Sequence, residues 1–464
     1  MARNETLVAV VGLGKIGLPL SVQYAQHGKR VLGCDINEQV VEMLNAGQSH
    51  VQEEPELAEA VPSLVQQGLL SATVNTTEAV RQADVVVVIV PIIVNAEAEP
   101  NFAAIDAATT AIGAGLRPGT LVIYETTVPV GTTEGRFAGL LERTSHLKAG
   151  QDFLLAYSPE RVSSRTLFRD LRVYPKVVGG INAQSTGAAI AFYRSVLDAD
   201  IIEMASSNDA EFVKLIETTY RDVNIALANE YARFADARGL NVTAAIAAAN
   251  TQPYSHIHAP GVGVGGHCIP VYPHFLLAGL KEIAAPLAEP DMLTLPRAAR
   301  RINDGMAEYT VSRIEAALGS LAHRSVLILG VAYRGDVRET AFTSARLLKK
   351  ALSQREISVY ADDPLFSADE LHAMGYTPLT PETEDQIDAI ILQANHQAYQ
   401  TLDFKRFPNC RVVLDGRQAF AREKIEALGI EYIEIGDGKL LEATKSHQDA
   451  SNMPSLVQEE GVCD

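Results

Sequence analysis

Apolar positions fall along the chain in two alternating textures. In the first 160 residues five short runs are almost continuously apolar: TLVAVVG (6–12), KRVLGCD (29–35), VVVVIV (85–90), TLVIYE (120–125) and FLLAYS (153–158). A strand buried on both faces of a parallel sheet reads this way, whereas a half-exposed strand alternates. Between the runs, segments such as 17–28 and 102–115 space their apolar residues as helices do. Strand and helix in alternation predict a doubly wound α/β layer structure.

The texture changes near Ser206. The stretch NDAEFVKLIETTYRDVNIALANEYARFADARG is rich in helix formers, has no proline and meets its first glycine at Gly239, where a helix C-cap belongs. It predicts a single helix over 207–238, about nine turns at 3.6 residues each. Helical patterns continue to about residue 316, interrupted by a glycine-rich loop. SVLILGVAY (325–333), EISVYADDP (356–364), DAIILQ (388–393) and RVVLDG (411–416) then predict the strands of a second α/β unit. From about Lys445 the chain is polar and unpatterned, which predicts a disordered tail. The expected organisation is an α/β domain over 1–200, a helical middle domain over 201–318, a second α/β domain over 319–444 and a tail over 445–464. The fold class is α/β, with two Rossmann-like doubly wound domains joined by the long central helix and the helical middle domain.

The first run leads directly into a glycine fingerprint. VAVVGLGKIG places Gly12, Gly14 and Gly17 after a strand and before a helix. The first glycine permits the tight turn, the second lets backbone approach a pyrophosphate, and the third lets helix pack on strand. Lys15 and Ile16 lie within the same turn, at the helix N-terminus that faces the phosphates. Asp35 closes the second strand, where a carboxylate binds the ribose 2′ and 3′ hydroxyls and repels a 2′-phosphate. No arginine follows it closely, so NAD is expected rather than NADP.

Composition narrows the picture by exclusion. Of 464 residues, 47% are apolar and 21% charged, and the net charge is −18, so a nucleic-acid partner is not expected. No window approaches the roughly 18 unbroken apolar residues of a membrane span. The N-terminal MARNETLVAVVGLG lacks a signal-peptide pattern, so a cytoplasmic protein with free thiols is expected. The four cysteines, Cys34, Cys268, Cys410 and Cys463, form no CxxC, and no metal site is expected.

Cys268 ends the run GVGVGGHC and has three readings. It is a buried inert thiol, the usual fate of cysteine; a metal ligand with nitrogen from His256, His258, His267 or His274; or a nucleophile made accessible by small neighbours. In an NAD enzyme the third reading has a definite chemistry. An alcohol is oxidised to an aldehyde, the thiolate adds to give a thiohemiacetal, a second oxidation gives a thioester, and water releases an acid. Two NAD are used per turnover.

Eight motifs in order carry a resemblance over about residues 6–440: VVGLGKIGLPLS, ETTVPVGTT, YSPERV, PKVVGG, VKLIETTYRDVNIALANE, GVGVGGHCIP, LGVAYRGDVRET and DGR. The chain resembles the UDP-glucose/GDP-mannose dehydrogenase family, the nucleotide-sugar 6-dehydrogenases. The resemblance implies that Cys268 is the catalytic thiol and that Lys214 lies against the reacting oxygen. It implies that Glu160 handles a proton or activates water, and that Thr127 sits near the catalytic water and the nicotinamide. It also points to the loop Tyr254–Gly266 for the nucleotide-sugar, with Gly261, Gly263, Gly265 and Gly266 packing along sugar and phosphates. From the last domain Tyr333, Arg334 and Arg417 are implied, the arginines pairing with the diphosphate or a cofactor group. A homodimer through the central helix is implied as well.

Three positions depart from the family pattern. Thr218 replaces the usual asparagine four residues after Lys214, and its hydroxyl remains a candidate donor to an oxyanion. Tyr272 stands where an aspartate follows the thiol by four, and Ala341 where an arginine is usual. Two other readings stay open: a two-electron β-hydroxyacid-type dehydrogenase, against which GGHC and residues 325–440 count, and a catalytically inactive nucleotide-sugar-binding homologue.

Overall fold

The computed structural model describes residues 6–438 apart from 53, 96–97, 163–165 and 283–290. The tail expected from 445, and Cys463 with it, lie outside the described residues. The chain divides into two compact units, one of residues 1–219 with 271–292, the other of residues 220–270 with 293–464. Residues 201–318, expected as one helical body, are thus shared between the two.

The first unit is built on an eight-stranded sheet: β1 Leu7–Val11, β2 Arg30–Cys34, β3 Leu70–Thr73, β4 Val85–Val88, β5 Leu121–Tyr124, β6 Leu154–Tyr157, β7 Lys176–Gly180 and β8 Ile201–Glu203. Its order is β8-β7-β6-β5-β4-β1-β2-β3. Six strands run parallel in the order 3-2-1-4-5-6, the dinucleotide-binding arrangement, which leaves a crevice where the order reverses between β1 and β4. All five predicted strands are among them. Val85–Val88 and Leu121–Tyr124 are buried at every residue, as their unbroken apolar runs require. β7 joins antiparallel to β6, and β8 pairs parallel with β7, so the sheet is mixed at that edge.

The second unit carries a six-stranded, wholly parallel sheet: β9 Ser325–Leu329, β10 Ser358–Asp362, β11 Thr377–Pro378, β12 Ala389–Leu392, β13 Val412–Asp415 and β14 Glu431–Glu434. Its order, β11-β10-β9-β12-β13-β14, repeats the 3-2-1-4-5-6 pattern. The predicted long helix runs over Ser207–Arg238 and is followed by helices Val242–Ala249, Tyr272–Ala278 and Thr294–Leu318. Within the second unit, Arg313 of the last of these is buried between Asp236 and Asp437, with 3.0 Å from Nη2 to the Asp437 carboxylate. Both of these carboxylates are themselves almost fully buried, so the guanidinium is neutralised where it is desolvated.

Candidate active site

The glycine turn after β1 has the geometry its sequence predicts. Gly12 adopts φ +98° and donates its N–H to the Cys34 carbonyl (2.8 Å). A Cβ on Gly17 would lie 1.8 Å from the Gly12 carbonyl oxygen, so only glycine lets helix Gly17–Gln26 start this close to the turn. A Cβ on Gly14 would meet nothing within 4 Å. Ile16 is the N-cap and no side chain caps the helix; the Leu18 N–H turns back to the Gly14 carbonyl (3.2 Å) and Pro19 carries no N–H, so an anion at this helix start would meet the amides of the turn itself. Lys15 beside it is exposed. Half-buried Asp35 accepts the Leu13 N–H on Oδ2 and the Asn37 N–H on Oδ1, both at 2.9 Å, which holds the carboxylate at the end of β2. An open second glycine, an uncapped helix start and a fixed carboxylate at the switch point fit NAD. When bound, NAD supplies the hydride acceptor.

Further along the same sheet, the ends of β5, β6 and β7 gather buried charge. Glu125 follows β5 and is 1% exposed. Glu160 lies beyond β6, and its backbone carbonyl accepts from Lys214 Nζ. The structure thus brings together Glu160 and Lys214, two residues predicted on separate motifs. Lys176 at the start of β7 is 6% exposed and joins both carboxylates, at 2.7 Å to Glu125 and 3.1 Å to Glu160. Burial pushes the Glu125 carboxyl up from its ordinary value. Burial acts in the same direction on Glu160, but the Lys176 ammonium, a hydrogen bond with the Glu125 carboxyl and the backbone amide of Val162 together win and hold it down.

Thr127 is buried in the turn after β5, next to Thr126, whose hydroxyl donates to the Val90 carbonyl (2.8 Å). Thr218 is buried one helical turn after Lys214. Its hydroxyl donates back to the carbonyls of Lys214 (2.9 Å) and Leu215 (3.2 Å), so the donor expected for an oxyanion is engaged within the helix. Tyr272 starts helix Tyr272–Ala278 and packs in the first unit's core, its ring 5.4 Å from that of Phe275.

In the second unit, Cys268 is the half-exposed thiol. Cys34 and Cys410 are buried, and burial pushes both of those thiols up to about 12. Among the described residues no three His, Cys, Asp or Glu side chains converge as a metal-ligand set. His267 instead faces the Glu339 carboxylate at 3.3 Å.

The glycines ahead of Cys268 meet protein. A Cβ on Gly261 would lie 3.1 Å from the Gly416 carbonyl oxygen and 3.2 Å from Arg417 Nη1. On Gly263, at φ +136°, it would lie 2.7 Å from Ser344 Oγ. On Gly265 and Gly266 it would lie 2.8 and 3.1 Å from Tyr333. Their missing side chains allow the loop to pack on Tyr333, Ser344 and Gly416 of the second unit. The Gly261 N–H is held by Asn229 Oδ1 (2.9 Å), whose amide donates to Asn303, which in turn donates to Asp222.

This packing gathers Gly261, Gly265, Gly266, Tyr333 and Arg417. Arg417 donates from Nε to the Gln393 carbonyl (2.5 Å) and has no carboxylate ion pair among the described residues. Burial pushes its guanidinium down to about 10, against the nearby Asp415 carboxylate, which acts in the opposite direction. Arg334 is exposed, 5.6 Å from the Tyr333 ring centroid, and Tyr254 is 89% exposed.

Sequence reasoning missed Lys176, Glu125 and Asn229 as site residues. Each lay inside a quoted motif, but nothing local distinguishes a buried charge from a solvated one. The remaining overlooked group is Glu211, fully buried on the long helix, which accepts the N–H groups of Gly131 (2.6 Å) and Thr133 (2.8 Å).

Comparison with known proteins agrees with this arrangement over nearly the whole chain. The NAD binding domain of the UDP-glucose/GDP-mannose dehydrogenase family matches residues 6–197, its central domain residues 208–305 and its UDP binding domain residues 327–422. A UDP-N-acetyl-D-mannosamine dehydrogenase of Pyrococcus horikoshii is 32% identical over 93% of this chain and 99% of its own. An NDP-N-acetyl-D-galactosaminuronic acid dehydrogenase of Ralstonia solanacearum is 32% identical over 90% and 97%. The solved structure of the UDP-D-ManNAc dehydrogenase from Pyrococcus horikoshii superposes with a TM-score of 0.83, at 30% identity, over 94% of this chain and all of that one. Fold, glycine turn and three consecutive domain matches lead to one conclusion: the chain belongs to the UDP-glucose/GDP-mannose dehydrogenase family, a family of NAD-dependent nucleotide-sugar dehydrogenases.

Proposed function

We propose that this protein oxidises the C6 hydroxyl of a nucleotide-diphosphate N-acetylhexosamine to the uronic acid, in the cytoplasm and for polysaccharide synthesis. The observation that carries the reading is the end-to-end similarity to N-acetylhexosamine dehydrogenases with Cys268 and Lys214 both in place. The balance is one primary alcohol, two NAD and one water giving one carboxylate, two NADH and three protons. Lys214 stabilises the alkoxide that precedes hydride loss. The Cys268 thiolate adds to the aldehyde, and the thiohemiacetal becomes a thioester in the second oxidation. Glu160 orients the water that cleaves the thioester. Thr127 lies beside that water, and Asp35 with the Gly12–Gly17 turn holds the NAD ribose and pyrophosphate. Arg417, together with Arg334 and Tyr333, takes the diphosphate of the sugar nucleotide; Tyr254 and the Gly261–Gly266 loop line that ligand.

The test is a panel of UDP- and dTDP-linked hexoses and N-acetylhexosamines followed by NADH absorbance. An N-acetylhexosamine is expected to give two NADH per sugar, and Cys268→Ser to stop acid formation while NAD affinity persists. One NADH per sugar supports the two-electron reading. Retained nucleotide-sugar binding with no NADH supports the inactive one, which the engaged Thr218 hydroxyl and the packed Tyr272 ring favour.

A homodimer belongs to the same proposal. Phe212, Ile216, Tyr220, Leu227, Tyr231 and Phe234 are 38–62% exposed on the long helix. At 100° per residue they fall within a single stripe about 100° wide, the pattern of a face that packs on another helix. A second copy presenting the same stripe covers it with an isologous interface. Sedimentation should show twice the chain mass for the native protein and the chain mass for Phe234→Glu. A monomeric native protein would remove the dimer from the reading.

A further inference from the structure

One buried cluster in the first unit exceeds what the reaction above requires. Lys176 bridges Glu125 Oε2 and Glu160 Oε2, so two carboxylates share one ammonium. Their remaining oxygens are treated differently. Glu160 Oε1 accepts the N–H groups of Arg161 (2.6 Å) and Val162 (2.9 Å). Glu125 Oε1 accepts the hydroxyls of Tyr193 (2.7 Å) from helix Ala183–Arg194 and of Tyr24 (3.1 Å) from helix Gly17–Gln26. Lys176 Nζ also sits 5.1 Å from the Tyr193 ring centroid. Two further ionisable groups face the cluster: the buried Tyr157 of β6, and Lys214 of the long helix, which binds the Glu160 carbonyl.

The two carboxylates are therefore unequal. Glu160 has an ammonium and two rigid backbone donors, all of which favour its charged form. Glu125 has the same ammonium and two phenols, in a deeper position. Only the Lys176 ammonium bonds the two carboxylates, since Lys214 is engaged by the Glu160 backbone carbonyl, and an added proton settles where the fixed donors are weaker.

We propose that Lys176 and Glu125 are positioning residues for the oxidation: Lys176 holds Glu160 ionised and oriented beside Lys214, and Glu125 is the member of the pair that takes up a proton. The inference rests on the reading of Glu160 as a site residue. It makes Glu160 a fixed hydrogen-bond acceptor that aligns water, while a proton entering the cluster resides on Glu125. Protonation of Glu125 leaves Lys176 paired with Glu160 alone and alters the orientation that turnover needs. The direction of each shift agrees: burial raises Glu125, and Lys176 with the amides keeps Glu160 low.

The experiment measures kcat and KM against pH for the full-length enzyme, using the nucleotide-sugar that the panel selects. Lys176→Gln is expected to lower kcat about 100-fold, the usual cost of misplacing a reacting group, with KM for NAD unchanged. Lys176→Arg should recover part of the loss. Glu125→Gln, a mimic of the protonated form, should abolish the acidic limb of the kcat profile. The double variant Lys176→Gln/Glu160→Gln should be no slower than Glu160→Gln, because Lys176 acts through Glu160. A native kcat and pH profile in Lys176→Gln, or losses that multiply in the double variant, would overturn the proposal. Should Lys176→Gln not fold, Tyr193→Phe serves instead: removing one donor from the Glu125 carboxylate must move the acidic limb to higher pH, and an unmoved limb overturns the idea. Full activity in Glu160→Gln would sink the assignment of Glu160 itself. An impaired Glu160→Gln beside an unimpaired Lys176→Gln would sink only this inference.

Discussion

The two sheets share a strand order and differ at the turn after their first strand. In the first unit Gly12 donates to the Cys34 carbonyl at 2.8 Å, and in the second Gly330 donates to the Asp362 carbonyl at 2.8 Å. The next amide binds an aspartate at the end of the second strand in both: Leu13 to Asp35 (2.9 Å), Val331 to Asp363 (2.8 Å). The correspondence ends there. Asp35 is half-buried and faces a turn that runs straight into an uncapped helix at Gly17. Asp363 is 3% exposed and also receives the N–H groups of Ala332 (3.0 Å) and Leu365 (2.9 Å) and His396 Nε2 (3.1 Å). His396 Nδ1 accepts the Asp336 N–H, so Nε2 carries the proton given to Asp363. The second unit's helix begins only at Ser344, capped by the Thr343 hydroxyl. The same strand order thus makes one turn open to phosphate and another closed by its own protein groups. A crevice at a switch point is a consequence of topology; what enters it depends on whether the turn's donors are already satisfied.

Glycine replacement separates the two turns most sharply. Gly330 has φ +86°, and a Cβ there would lie 2.5 Å from Ala394 Cβ. Gly330→Ala should cost about 2–5 kcal/mol of stability, from left-handed backbone strain and overpacking together. Gly14→Ala, whose Cβ meets open space, should stay within about 0.5 kcal/mol of the native protein. Chemical denaturation of the two variants measures the contrast. Equal losses would mean that the turn after β1 is as filled as the one after β9.

How far this was legible in the chain follows the range of the forces involved. The Gly12–Gly17 turn was readable because Gly17 answers to the Gly12 carbonyl within the motif, and because the distant neighbours of Gly12, Ile89 and Val90, belong to a strand run that announces itself as apolar. The Gly261–Gly266 loop is also glycine-rich, but its glycines answer to Tyr333, Ser344 and Gly416, which lie in loops and helix starts that no pattern links to it. Spacing carries no record of such contacts. Short edge strands such as β8 and β11 escaped for a related reason: each is stabilised by pairing with a neighbour more than by its own pattern. The Thr218 hydroxyl was read as a donor toward the site, but bonding to its own helix is the local option always open to a threonine. Lys176 shows the sharpest limit, because its two partners, Glu125 and Glu160, arrive from the ends of different strands.

The smaller effect probes the aspartates. Asp35→Ala removes a charged acceptor from the place where the ribose hydroxyls of NAD are expected, and should weaken NAD binding by about 1.5–3 kcal/mol, the range for hydrogen bonds to a charged group. Of its two backbone partners, the Asn37 N–H is exposed and water can replace the carboxylate there, whereas Leu13 is buried and its amide loses an acceptor, so the fold should lose some stability. Asp363→Ala should act in the reverse sense. It strands two buried amides, a half-buried one and a buried imidazole, so it should lower stability and leave NAD affinity as it was. Calorimetric titration with NAD, run beside denaturation of both variants, decides the matter. If Asp35→Ala binds NAD as the native protein does, the ribose is not held at the end of β2, and the first turn's openness serves some other anion.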